Sequence, residues 1–138
     1  MSSAAFNWSE YLKLADDLSR KPDEASHRTA ISRAYYFVYH TASAKAVANG
    51  YVDKKSHAAL WQHFRKESNR QCRKVAKIGS RMKRDRIRAD YDATFPRIGT
   101  LVPPRLGEAV SATDDQTVPA VLRVIVKLCE PASADVKV

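Results

Sequence analysis

The chain has 138 residues, 44% of them hydrophobic and 28% charged, which suits one compact domain with its own core and excludes a chain disordered throughout. Four Gly and six Pro are few for a turn-rich sandwich or barrel, and no apolar run approaches the roughly 20 residues of a membrane helix. Lys plus Arg number 24 against 15 Asp plus Glu, a net charge of +9, and residues 65–88 carry all of that excess with eleven basic and two acidic side chains.

The pattern is helical almost from end to end. Tyr11, Leu14, Ala15 and Leu18 recur at i, i+3, i+4 and i+7, predicting a helix over about 8–20 that stops before Pro22. A second helix opens near Asp23 or Ser26 and runs to about Asn49, with Gly50 suited to the position after its C-cap. Its middle, Ala30 to Ala42, is apolar on most faces, as in a helix that touches neighbours on several sides. Asp53 or Ser56 can start a third helix reaching about Asn69, with Leu60, Trp61 and Phe64 inward. A fourth covers about 71–92, with Cys72, Val75, Ile78, Met82 and Ile87 inward and a weak point at Gly79-Ser80. The stretch from Thr94 to Pro104 reads as loop because it holds Pro96, Gly99, Pro103 and Pro104. The last element runs from about Leu106 to Cys129, kinked or split at Pro119, and 131–138 read as a frayed tail. The expectation is an all-α, up-and-down bundle of four or five helices forming a single domain over 1–138.

Cys72 and Cys129 fit no zinc spacing, and they read as free thiols of a reducing compartment. No glycine-rich phosphate loop, nucleophile elbow or HExxH string occurs, so no cofactor and no metal are expected. The first eight residues lack a basic n-region and an apolar h-region, and the expected location is cytoplasmic with no membrane association.

Two residues of the central helix stand out by spacing. Arg33 and His40 are seven apart, about 700° of rotation, so they share one face two turns and about 10 Å apart, with Tyr36 between them. An always-charged guanidinium on the most apolar helix needs a partner. Asp16, Asp17 or Asp90 could supply it across the bundle, with His40 a satisfied core histidine; otherwise the face lines a cleft or interface that an anion enters. The basic segment is the second candidate. Arg73, Lys77, Arg81, Arg84 and Arg88 form a row at helical spacing, with Arg70 and Lys74 beside it. Like charges so placed repel unless a polyanion such as RNA neutralises them, and a merely solvated face is the alternative. His57, in the first turn of the third helix, reads as a capping or packing residue or as an accessory phosphate or base contact near the site. Asp90 can pair with Arg86 four residues earlier or reach back to orient Arg33.

The run Ser32-Arg33-Ala34-Tyr35-Tyr36-Phe37-Val38-Tyr39-His40 resembles the signature helix of HEPN-domain proteins, an Arg and a His with four to six residues between them, here six. Gly50-Tyr51, Lys55-Ser56-His57 and Leu60 resemble the segment that follows it, and Arg86-Ile87-Arg88-Ala89-Asp90-Tyr91 resembles the close of a later helix. Together these blocks span about 26–92. The resemblance implies a helical bundle that dimerises through the Arg33/His40 helix and, in many members, metal-independent RNA cleavage in toxin or defence systems, with an antitoxin or other protein partner. Arg33 would hold the phosphate and His40 would move the proton, leaving a 2′,3′-cyclic phosphate and a 5′-hydroxyl. One such histidine per chain makes a two-fold dimer the unit that offers both acid and base. Ala34 stands where active members often carry a polar residue, and Ala42 where some toxin members carry a tyrosine. The alternative is a non-catalytic module of the same kind that binds RNA, a nucleotide or a protein.

Overall fold

The computed structural model describes residues 5–113, and these form five α-helices with no strand among the described residues. They are α1 (Ser9–Ser19), α2 (Glu24–Ala48), α3 (His57–Arg65), α4 (Arg70–Tyr91) and α5 (Ile98–Thr113). No helix among the described residues is long and apolar enough to cross a membrane. The expected break at Pro119, Cys129 and the tail at 131–138 lie outside the described residues.

The helix boundaries follow local chemistry. The Asp23 carboxylate accepts the Ser26 N–H at 3.0 Å and caps α2. At the other end the Gly50 N–H reaches the Val47 carbonyl and the Tyr51 N–H reaches that of Ala46, with Gly50 at φ +100°. That is the Schellman arrangement, and it needs a residue without Cβ. Ser56 caps α3 through the Ala59 N–H at 3.1 Å. Asn69 does not end α3, as the sequence suggested; its side chain accepts the Gln71 and Cys72 N–H groups and opens α4.

α2 is the central rod, packed against α1, α4 and α5, while α3 lies chiefly on α4. Ala30, Ile31, Ala34, Tyr35, Phe37, Val38 and Ala42 are all buried. Arg28 ties α2 to the end of α4 by donating to the Ala89, Asp92 and Ala93 carbonyls, the orphan acceptors a helix terminus leaves. Between α4 and α5 the buried Asp85 pairs with Arg105, and Glu108 receives both Arg105 and Arg81.

Other expectations are corrected as well. α5 begins at Ile98, so most of the stretch read as loop is helix and carries Pro103 and Pro104 inside it. Each proline forfeits a hydrogen bond, but Ile98, Val102, Leu106 and Ala109 form a fully buried stripe, and each large apolar side chain buried stabilises by about 1.5–3 kcal/mol. In α1 the buried face is Leu12, Ala15 and Asp16, and Leu14 is exposed. Ile87 of α4 is also exposed. α4 runs unbroken through Gly79-Ser80, and at Gly79 the Trp61 indole of α3 lies directly on the helix backbone.

Candidate functional site

In the middle of α2, residues 30–40, Arg33, Tyr36 and His40 are half-buried while the rest are buried, and the exposed Thr29, Ala44 and Val47 continue the same line at intervals of four and three residues. Arg33 has no carboxylate within ion-pair distance among the described residues. Its guanidinium instead sits 4.9 Å from the Tyr11 ring centre and 5.7 Å from that of Tyr36, where the ring quadrupoles attract it without cancelling its charge. The carboxylates that could have neutralised it are elsewhere. Asp16 pairs with Arg20 at 2.9 Å, Asp90 pairs with Arg86 at 3.5 Å, and Asp17 is exposed on α1.

His40 is stacked flat on Trp8, with ring centres 3.5 Å apart and planes 7° from parallel. Burial pushes its pKa below the usual imidazole value; Asp53 partly offsets this and Lys55 adds to it. The neutral ring, the form able to accept a proton, is therefore favoured at neutral pH.

His57 is brought to the same place by the turn after α2. Its ring stacks on Tyr39 at 3.9 Å, and its Nδ1 meets the Tyr35 hydroxyl. That hydroxyl also accepts the Trp61 Nε1–H at 3.2 Å, and where it gives its own proton to Nδ1 the neutral His57 carries its hydrogen on Nε2. Burial lowers its pKa first, and Arg86, Lys83 and His40 lower it further. Burial also raises the pKa of the Tyr35 hydroxyl, which stays protonated. The two imidazoles flank Tyr36, with ring centres 6.2 Å (His40) and 6.1 Å (His57) away.

Arg86 is the residue that spacing did not select. It was legible only as a partner for Asp90, which it is, but its guanidinium also lies 5.5 Å from the Tyr36 ring and 5.7 Å from that of Tyr35. Its Nε is buried without a hydrogen-bond partner. Tyr36 thus has two guanidinium groups and two imidazoles around it. Asp90 serves Arg86 and lies 3.5 Å from the Ser32 hydroxyl; it does not reach Arg33.

The basic row divides. Arg70, Arg73, Lys74 and Lys77 are exposed and line one concavity at the start of α4, where Arg73 also donates to the Ser68 carbonyl at 2.5 Å. Arg81 is drawn into the ion pair with Glu108 on α5. Arg88 lies over Phe95, 4.1 Å from its ring centre, and 3.9 Å from the Asp92 carboxylate. Arg84 lines the groove between α3 and α4. The row is therefore one free cluster and three residues with separate surroundings.

Among the described residues no three His, Cys, Asp or Glu side chains gather in a metal-binding group. No family model, curated protein or solved structure matches the chain.

Proposed function

We propose that this chain is a cytoplasmic, HEPN-like endoribonuclease that works as a homodimer without a metal, in a toxin or defence setting. The observation that carries the reading is the half-exposed line on α2, on which Arg33 meets aromatic rings and no carboxylate among the described residues and burial favours the neutral ring of His40. That line ends in the exposed Val47, and the exposed Phe6 packs edge-on against Trp8 and Tyr11 beside it. An apolar strip flanking a cationic centre suits a second copy meeting the first along α2.

The chemistry follows from the residues. His40 takes the proton of a ribose 2′-hydroxyl as the oxygen attacks the adjacent phosphorus. Arg33 and Arg86 hold the non-bridging oxygens as charge builds on them. The bond from phosphorus to the 5′-oxygen breaks, and a second imidazole, present as imidazolium, gives its proton to that oxygen. In a dimer His40 of the partner subunit, carrying a proton in that step, supplies it. The products are a 2′,3′-cyclic phosphate and a 5′-hydroxyl.

The test is cleavage of labelled RNA by the full chain in EDTA. Arg33→Ala and His40→Ala, each folded by circular dichroism, should abolish it, and cleavage surviving both substitutions removes the proposal. A binding module without catalysis is the second reading. It is favoured by Ala34, which is fully buried and offers no hydrogen bond to Arg33 or His40. It predicts retained RNA or partner-protein binding, an antitoxin included, with no new ends.

A further inference from the structure

We propose that the groove between α3 and α4 is a nucleotide subsite that holds a phosphate and its base next to the cleavage centre. The groove begins one residue beyond His57 and encloses about 620 Å³, within the range of roughly 300–1,000 Å³ typical of small-molecule sites. Its lining includes the largely buried Trp61, the exposed Ile87, and Arg65, Lys83 and Arg84.

Two features give the groove a ligand of defined chemistry. No carboxylate among the described residues pairs with Arg65, Lys83 or Arg84, although Asp85, next to Lys83 and Arg84 in sequence, is taken by Arg105. Arg65 is also held in place before any ligand arrives. Its Nη1 donates to Gln62 Oε1 at 2.9 Å and its Nη2 to the Ser80 hydroxyl at 3.0 Å, which sets it across the gap between the helices. A preorganised guanidinium with two further cations fits the oxygens of a phosphate. Ile87, an exposed aliphatic side chain among cations, fits the face of a base. Ala58 and Lys83 both line the groove, which puts it next to His57 in the chain and at the His57 side of the Tyr36 centre.

The ligand class is a nucleoside phosphate, supplied by an RNA strand if the ribonuclease reading on which the strand assignment rests is right, and by a free nucleotide otherwise. The test is fluorescence anisotropy of the full chain with a 2′-O-methyl oligoribonucleotide, which lacks the attacking hydroxyl, measured across a salt series. The doubly substituted Arg65→Gln/Lys83→Gln protein is compared with Lys13→Gln/Lys21→Gln, which removes the same charge from the α1 region. The groove variant should weaken binding roughly ten- to hundredfold and reduce the slope of log affinity against log salt by about 1.4, at about 0.7 for each single-strand phosphate that the protein no longer neutralises. The control should change neither quantity by a comparable amount. Tight binding of 5′-AMP that the groove variant loses identifies the free nucleotide as occupant, and competition by AMP only at high concentration identifies the strand. Equal affinity and slope for the groove variant and wild type, with no AMP binding, overturn the subsite. Cleavage that proceeds normally in the groove variant with unchanged KM overturns the subsite and leaves the nuclease reading standing. Groove-dependent binding with no cleavage by the wild type does the reverse.

Discussion

Replacing Gly79 by alanine puts a methyl group where the Trp61 indole already lies. A Cβ built on Gly79 falls 2.6 Å from indole atoms Cε3, Cζ3 and Cη2, about 1 Å inside ordinary carbon–carbon contact. Trp61 is 2% exposed and has nowhere to retreat except away from α4. That shift lengthens its 3.2 Å bond to the Tyr35 hydroxyl and frees the hydroxyl that orients His57. Overpacking of this kind costs about 1–3 kcal/mol, and the lost hydrogen bond about 1 kcal/mol more. Alanine returns about 1 kcal/mol as the better helix former. The net expectation is a loss of about 1–3 kcal/mol, lowering Tm by roughly 3–5 °C for each kcal/mol at this chain length. Thermal and urea unfolding followed by circular dichroism measure it. A Gly79→Ala protein as stable as wild type, or more so, refutes the close approach of α3 to α4 and with it the rigid support claimed for His57.

Asp85→Asn leaves Arg105 with only Glu108 in a region shielded from water, and should cost about 2–4 kcal/mol in urea unfolding. The double replacement Asp85→Leu/Arg105→Met should cost clearly less, and equal costs for the two proteins contradict a pair whose value lies in mutual neutralisation. Stability should also depend on pH through His40 and His57. Their folded pKa values lie below the unfolded value, so the unfolded chain binds more protons. Their contribution is therefore fully present above about pH 6.5 and is lost as pH falls through that value towards the folded pKa. Unfolding free energies at pH 7.5 and 5.5 check this; the drop should shrink in His40→Gln and His57→Gln, and an unchanged drop in both variants rules out these two groups as its source.

The parts of the site set by local sequence were legible, and those set by packing were not. Helical geometry alone puts Arg33, Tyr36 and His40 on one face, and Asp23 and Gly50 are readable caps because their chemistry acts within a few residues. The arrival of His57 beside Tyr39 depends on how the turn after α2 is taken, and that of Arg86 beside Tyr36 on how α4 rotates against α2. Trp8 over His40 is a contact between residues 32 positions apart, invisible to periodicity. The same applies to charge. Helical spacing puts five cations in a row, but Glu108 and Phe95 approach from α5 and the loop before it to take Arg81 and Arg88 out of it. Proline misled for a related reason: Pro103 and Pro104 weaken the backbone of α5, and only the buried stripe of Ile98, Val102 and Leu106, a tertiary feature, outweighs them.

The central claim, that Arg33 and His40 form a phosphoryl-transfer centre, is most directly tested by mass spectrometry of the ends made on a short RNA of known sequence. Fragments ending in a 2′,3′-cyclic phosphate, paired with fragments beginning in a 5′-hydroxyl, should form with the wild type in the presence of EDTA. Their rate should fall by at least about a hundredfold in Arg33→Ala and in His40→Ala. Intact RNA throughout, or the same fragments at the same rate from both variants, contradicts it.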